Sequence, residues 1–391
     1  MKKILIIGAS ILQLPAILKA KQKGFHVLVV DFNSNAVGIP YADEYFNIST
    51  TDIEGILEIA KKYNPNGIMT LATDMPMRAI AMATDALNLP GISYETAVKS
   101  TDKGEMIKTF KENNIESPWY FITDKEEELG KLKINYPCIM KPVDSSGSRG
   151  VILVNKESEA KEAFRYSQKY SKGKNVIIEE YMKGKEVSVE ILTIEGVPNV
   201  LAVTDKITTG QPYFVEMGHI QQSNLPISSL EKIKDLAIRA VKAIGIITGP
   251  AHVEIMMTED GPKVIELGAR MGGDCITSHL VELSTGIDMV GETIELLCGN
   301  KVDITPKIDK GSAILYLETE AGIIQEIVGV EEARKVEGIK VIEITKNIGD
   351  SISDIKSSVD RIGFVIAQGA NNNEALKRCQ KALEKINIKN I

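Results

Sequence analysis

The sequence predicts a multidomain protein of mixed α/β and α+β class, with a parallel α/β unit at the N-terminus followed by antiparallel hairpins that carry charge. Three observations predict it. Apolar strand-length runs alternate with helix-period segments over roughly the first ninety residues, which implies a right-handed parallel sheet. Beyond residue 118 the apolar runs come in pairs separated by turn residues, as hairpins do. And 391 residues exceed one typical domain and can bury a substantial core.

The N-terminal unit reads strand 3–7, helix 12–23, strand 26–31, helix 53–63, strand 67–71 and helix 75–87. Gly8-Ala-Ser-Ile-Leu-Gln13 stands where a dinucleotide-binding turn would, but Ser10 and Gln13 occupy positions that such a turn gives to glycine. Asp31 is therefore expected to be a strand-end residue. A helix follows over 103–113, and Pro118 marks the entry to the hairpins. Tyr136-Pro-Cys-Ile-Met-Lys-Pro142 is a short strand ending near Lys141. Asp144-Ser-Ser-Gly-Ser-Arg-Gly150 and a return strand over 151–154 follow it. Further along come a strand, elbow and strand over 175–190, a hairpin over 251–270, a helix over 289–298 and a polar connection over 300–310. Short strands over 312–318 and 363–368 and an amphipathic helix over 374–386 close the chain.

The hairpin over 251–270 carries the most chemistry. If its loop is Glu259-Asp260-Gly261, with Gly261 left-handed, Glu254 lies opposite Glu266; a two-residue loop would put the two on opposite faces. Paired carboxylates ~5 Å apart repel, and a hard divalent cation bound to phosphate oxygens removes the repulsion. Arg270 extends the same face and can hold an anion. Taken alone, this face reads equally well as a solvated one. Upstream, the loop of Ser145, Ser146, Gly147 and Ser148 can turn backbone N–H groups toward an anion beside Lys141. It is not a G-x-x-x-x-G-K-[ST] loop. The elbow at 180–185 can offer main-chain groups to an adenine edge, with Glu186 reaching ribose hydroxyls. An ordinary inter-strand turn would look the same.

Composition excludes several classes. A net charge of −7 leaves no basic footprint for nucleic acid. Cys138, Cys275, Cys298 and Cys379 show no C-x-x-C spacing, so reduced thiols in a cytoplasmic protein are expected. No apolar run reaches the ~20 residues of a membrane span, and no secretory signal is read before the first strand.

The order of these pieces resembles the ATP-grasp superfamily across nearly the whole chain: Lys103, Met140-Lys-Pro with its Gly/Ser loop, Glu179-Glu-Tyr-Met182, Glu254, and Glu266-x-x-x-Arg270. The resemblance implies a Rossmann-like pre-ATP-grasp domain over 1–98, an ATP-grasp domain over 99–305 with a lid lobe near 118–182, and a C-terminal subdomain over 306–391. It implies ATP as cofactor, with Lys103 and Lys141 on its phosphates. Ser145, Ser146, Gly147 and Ser148 would form the lid, Glu179, Glu180, Tyr181 and Met182 the adenine hinge, and Glu186 the ribose acid. Glu254 and Glu266 would hold magnesium or manganese, and Arg270 would steady an acyl phosphate. The family often places Asn two residues after the second glutamate. Gly268 stands there in this chain, so water or Asp274 is the expected substitute.

Gly-Ala-Arg-Met-Gly-Gly-Asp274 looks most like the bacterial L-amino acid ligase branch of carboxylate–amine ligases, which implies substrate contacts at Glu216, His219, Gly272 and Asp274. His252 shares the parity of Glu254, although a single strand histidine is more often packed. The implied reaction activates a carboxylate as its acyl phosphate and lets an amine displace phosphate, with ADP as the other product. Amino acids are the implied partners, without nucleic acid or membrane, and a homodimer the implied assembly. Two other readings stay open: a carboxylase or carbamoyl-phosphate-type synthetase using bicarbonate, and a non-catalytic ATP-binding sensor.

Overall fold

The computed structural model describes residues 1–145, 147 and 149–391. Ser146 and Ser148, both expected in the lid, lie outside the described residues. The first unit is a four-stranded parallel sheet in which β1 (Lys3–Ile7), β2 (His26–Val30), β3 (Glu44–Phe46) and β4 (Gly67–Met69) are ordered β3-β2-β1-β4. Ile4 to Ile7 and Val27 to Val30 are wholly buried, which is why these strands read as continuous apolar runs. Helices α1 (Leu14–Gln22) and α2 (Ile53–Tyr63) connect β1 to β2 and β3 to β4, and α3 (Met77–Leu87) follows β4. Asp52 caps α2 by accepting from the Gly55 N–H at 3.0 Å, and left-handed Asn64 closes it. Asp31 accepts from the N–H groups of Ala9 (2.7 Å) and Asn33 (2.8 Å), so it ties down the turn after β1. That is the strand-end role expected of it. Strand β3 is a three-residue edge, too short to show alternation.

Helices α4 (Tyr94–Thr101) and α5 (Lys103–Glu112) lead into the second unit. Asp102 caps α5 by accepting from Gly104 and Glu105, and the Lys103 N–H donates to the carbonyl of Val143 at 3.0 Å. Lys103 thus starts its helix against the end of a neighbouring strand. That strand belongs to a small antiparallel sheet of β5 (Tyr120–Thr123), β6 (Cys138–Pro142), β7 (Ile152–Val154) and β8 (Val176–Glu180), ordered β5-β8-β6-β7. Helix α6 (Ala160–Gln168) packs Ala163 and Phe164 on Met140 and Ile178 to form this lobe's own core.

The large sheet has eight strands, beginning with β9 (Lys185–Ile194), β10 (Val197–Thr208), β11 (Glu216–Gln221), β12 (Gly249–Thr258) and β13 (Gly261–Gly268). Helix α7 (Ile227–Ile244) covers it with Ile233, Leu236, Ala237, Ala240, Val241 and Ile244. A π-helical turn at Ile276–Leu280, α8 (Val281–Thr285) and α9 (Met289–Leu297) follow. The C-terminal segment supplies β14 (Gly311–Tyr316), β15 (Gly322–Val328), α10 (Val330–Arg334), β16 (Ile339–Ile344), β17 (Ser351–Ile352), β18 (Gly363–Gly369), α11 (Asn372–Leu383) and β19 (Asn387–Asn390). Three of its strands extend the large sheet, whose order is β13-β12-β9-β10-β11-β14-β18-β16. Only β17, β15 and β19 form a small sheet apart.

The β12–β13 hairpin corrects one expectation and recovers its consequence. Its loop is the two-residue Glu259-Asp260, with Thr258 opposite Gly261 at the start of β13, so no three-residue loop forms. Gly261 does take a positive φ, +119°. A ladder continued from that loop would set Glu254 opposite Ile265. Instead Ile255 pairs with Val264 and Glu254 with Glu266, so Ile265 is bulged out between them. The bulge restores the parity that the loop alone would have lost.

Candidate active site

The two antiparallel sheets and the N-terminal unit enclose a cleft of about 1520 Å³, lined by Lys103, Lys141, Glu179 to Glu186, Lys206, Glu216, His219, Glu254, Glu266 and Arg270. Each side chain reaches it for a local reason. Lys141 comes from the end of β6, Glu179 from β8 beside it, and their charges meet at 2.6 Å with both side chains nearly buried. Burial opposes charge on Lys141, but Glu179 and Glu266 outweigh it and hold its pKa above the ordinary lysine value. Lys103 spans the two sheets: its Nζ lies 2.9 Å from Glu266 and donates to the carbonyl of Ser145 at 2.7 Å. The backbone at Ser145 and the hairpin acid therefore share one cation. At Gly147 the loop takes a φ of +67°, a conformation glycine adopts without strain.

Lys206 is the centre of the large-sheet face. Its ammonium lies 2.5 Å from Glu186, 3.3 Å from Glu254 and 3.5 Å from Glu216, which stand on β9, β12 and β11. Burial works against the charge, yet the three carboxylates outweigh it and raise the pKa well above the usual value. Beside it His252 bridges Glu190 (2.7 Å) and Glu254 (3.4 Å). Glu190, fully buried, lifts the imidazole to a pKa of about 9 against the desolvation that would lower it. The Glu254 carboxyl is held well below its ordinary range: burial pushes the other way, but Lys206 and His252 prevail. A Cβ on Gly272 would sit 2.7 Å from His252 Nδ1, so glycine there lets the chain lie across this pair.

Two arginines close the opposite end. Arg270 forms a two-pronged pair with Asp74 of the N-terminal unit, both contacts at 3.0 Å. A Cβ on Gly268 would stand 2.9 Å from Asp74 Oδ1 and 3.1 Å from the Arg270 guanidinium. A side chain at 268, where the family often has Asn, would therefore press on the Asp74–Arg270 fork. Arg361, just before β18, grips Asp274 at 2.7 and 2.8 Å and lies over the Tyr316 ring at 3.8 Å. His219 Nε2 completes the cluster at 3.1 Å from Asp274, while its buried Nδ1 has no partner among the described residues.

The sequence-derived residues thus converge, with differences in detail. Glu254 and Glu266 oppose one another as expected. Glu180 turns its carboxylate to Lys263 at 2.8 and 2.9 Å, leaving its backbone at the elbow. Tyr181 packs against Phe214, their ring centroids 6.1 Å apart, and Met182 is buried. Glu186 and Glu216 share Lys206. Asp274 is engaged by Arg361 and His219. Sequence reasoning assigns no role to Asp74, Glu190, Lys206 or Arg361. Lys206 follows a motif-like Thr204-Asp205, and Glu190 shares the strand parity of Glu186, so both carried a usable signal. Asp74 and Arg361 act across 196 and 87 residues of sequence and carried none.

Among the described residues no three His, Cys, Asp or Glu side chains are grouped to hold a metal ion. Glu254 and Glu266 alone suit a cation that arrives with its own oxygen ligands, which is how magnesium travels with nucleotide phosphates. Lys103 and Lys141 beside them suit those phosphates. The residues present fit MgATP.

Comparisons with known proteins find similar domains, sequences and folds. The ATP-grasp domain family matches residues 134–278, and L-amino acid ligase C-terminal domain 2 matches residues 315–390. A formate-dependent phosphoribosylglycinamide formyltransferase from Sulfurisphaera tokodaii is 27% identical, covering 97% of this chain and 96% of its own length. The alanine–anticapsin ligase of Bacillus subtilis is 26% identical over 75% of this chain and 65% of its own length. In fold, the L-amino acid ligase from Bacillus licheniformis superposes with a TM-score of 0.87 at 23% identity, over 100% of this chain and 99% of that one. No helix among the described residues is long and apolar enough to cross a membrane. With these matches, the chain carries an ATP-grasp domain over residues 134–278 and an L-amino acid ligase C-terminal domain 2 over residues 315–390, in a fold shared with ATP-dependent ligases.

Proposed function

We propose that the protein joins the carboxylate of one small molecule to the amine of another, forming an amide or peptide bond through an acyl phosphate and releasing ADP and phosphate. One observation carries the reading. Lys103, Lys141, Glu254, Glu266 and Arg270, from five different elements or loops, line one cleft.

The ionic pairs explain how nucleotide would enter. Lys141 is neutralised by Glu179 and Lys103 by Glu266, so a bare triphosphate would free the lysines while leaving acids unpaired. A triphosphate with its cation brings both signs and exchanges partners with both. Glu254 and Glu266 would hold magnesium, which when bound screens the phosphate oxygens and polarises them. The elbow at Glu180 to Met182 supplies main-chain groups for the base, and Glu186 the carboxylate for the ribose.

The substrate carboxylate attacks the γ-phosphorus, the bond to the β-phosphate oxygen breaks, and ADP leaves. Lys141 would face the developing charge. Arg270, held in place by Asp74, steadies the acyl phosphate. The amine then attacks the acyl carbon, phosphate departs, and a proton is lost from nitrogen. Glu216 and His219 stand on β11 on the side of the cleft where the amine would approach. Closure of the lid keeps water from the acyl phosphate.

The test is substrate-dependent ADP release. Pairs of amino acids are expected to stimulate it, with an amide product of matching mass by mass spectrometry. ADP release stimulated by bicarbonate alone would move the assignment to a carboxylase. Nucleotide binding with no stimulation by any carboxylate would leave a sensor.

A further inference from the structure

One wall of the cleft has no part in this chemistry. Helix α1 buries Ala16, Ile17 and Ala20 in the core of the N-terminal unit. Its other face does not carry the charge expected of a solvated helix. Leu14, Pro15 and Leu18 line the cleft instead, continued by Ile11 and Leu12 of the preceding turn. Ile11 is 52% exposed, Leu12 44% and Leu18 42%, so the aliphatic strip is open to whatever enters. Apolar side chains clustered in a concave site are a recognition surface more often than an accident.

The neighbours of the strip set its chemistry. At one end stands the Asp74–Arg270 fork, whose guanidinium is engaged by Asp74 and, in the reading above, reserved for the acyl phosphate. Lys19, the cation on α1 nearest the strip, is turned to Asp288 at 3.0 Å. His279 lines the same cleft with Nδ1 bonded to the Ser278 hydroxyl at 2.9 Å, and burial lowers its pKa, so it is neutral. Cys275 is likewise kept as the thiol, its pKa pushed up to about 12 by burial. A phosphorylated or acidic side chain would find no available cation among these groups, and a basic one no free acid.

We propose that this wall is a side-chain subsite that selects a hydrophobic, aliphatic-type amino acid as one of the two substrates. Its polar groups lie toward Arg270 and its side chain lies on Ile11, Leu12 and Leu18. This rests on the amide-forming reading above and narrows its substrate class.

The experiment compares leucine, methionine and phenylalanine with serine, aspartate and lysine, each paired with a common small amino acid, in wild type and in Leu18→Asp and Leu12→Asp. ADP release is the readout, with MgATP affinity measured in parallel by calorimetry. The apolar amino acids are expected to show kcat/KM ~10–100-fold above the polar ones, and each variant to lose most of that advantage. Equal use of polar amino acids, or a preference for apolar ones that survives in both variants, overturns the subsite. So does a loss of MgATP affinity that matches the loss of turnover, since that reports damage to the fold. If no pair supports ADP release, the ligase reading fails and the subsite is decided by direct binding. Leucine titrated into wild type with MgADP present must then bind, and Leu18→Asp must not; absence of leucine binding to wild type overturns the proposal.

Discussion

The two ends of the cleft are built from different cations, and the contrast separates what moves from what is fixed. At the proposed nucleotide end, Glu179, Glu186, Glu216, Glu254 and Glu266 face Lys103, Lys141 and Lys206, with His252 as a further partner of Glu254. Acids outnumber the lysines, and each lysine contact is a single ammonium point. At the proposed substrate end each arginine is locked to one aspartate by two parallel bonds, Arg270 to Asp74 and Arg361 to Asp274. A lysine can trade one oxygen for another with little geometric loss, whereas a guanidinium fork is a planar, oriented joint. The lysine end is suited to exchanging partners with MgATP. The arginine end ties the N-terminal unit and the C-terminal segment to the loop that follows β13.

The largest effect should come from breaking the exchange. Glu266→Gln removes the hairpin acid that Lys103 holds, so substrate-dependent ADP release should fall by ~10³-fold or more, as losses of charge-stabilising groups do. Manganese titration followed by electron paramagnetic resonance should show weaker metal uptake with ATP. Turnover near the wild-type rate in this variant would remove the cation from the hairpin and with it the mechanism.

Next in size is Arg270→Lys. If the fork matters and not merely the charge, a lysine that keeps the charge should still cost ~10²-fold in kcat. MgATP affinity should stay within a factor of a few, because the nucleotide end is untouched. A lysine variant as active as wild type would show that the two ends do not differ in kind.

The Arg361–Asp274 joint tests stability. Arg361→Met leaves Asp274 with only His219 and the Tyr316 hydroxyl in a largely buried site and should cost about 2–3 kcal/mol in urea unfolding. The pH dependence has a definite sign. Burial would raise the Asp274 pKa, but hydrogen bonds from Arg361 and His219 overcome it and hold the group well below its ordinary value. A depressed carboxylate gives stability that is complete above its unfolded pKa, about 3.9, and is lost as pH falls below that value. The variant should lose less stability than wild type between pH 5 and pH 3, roughly the window in which an unfolded aspartate titrates.

How much of this was legible in the sequence differs from region to region. The parallel unit was, because strands buried on both faces announce themselves as apolar runs, as Ile4 to Ile7 do. The acid pair was legible through parity, but for an incomplete reason: a two-residue loop and a bulge at Ile265 together give the register that a three-residue loop would have given alone. Helix α7 was written plainly in the spacing of Leu230, Ile233, Ala237, Ala240, Val241 and Ile244, yet it falls between the motifs on which the functional reading rests. The partners of the arginines were not legible. Nothing local to Asp74 or Arg361 says which distant side chain will meet it, since fork geometry is settled only when separate units pack. The continuation of the large sheet into β14, β18 and β16 was hidden for the same reason, as edge pairing leaves little mark on either strand.

The smallest effect bears on how the fork is made. Gly268 is not needed for its φ; it is needed because a Cβ there would crowd Asp74 and Arg270. Gly268→Ala should displace the aspartate and lower kcat by about tenfold, a loss of ~1.4 kcal/mol, with little change in folding stability. Asp74→Asn should do about the same, since it keeps the shape and weakens the charge that orients the guanidinium. If both act through the same joint, the double variant should be no worse than the poorer single one, because coupled sites are not additive. Losses that multiply would mean that Gly268 serves the site by another route, for instance by admitting a cation ligand beside Glu266. In that case the first residue to re-examine is Asp74 itself, whose carboxylate already occupies the space a side chain at 268 would take.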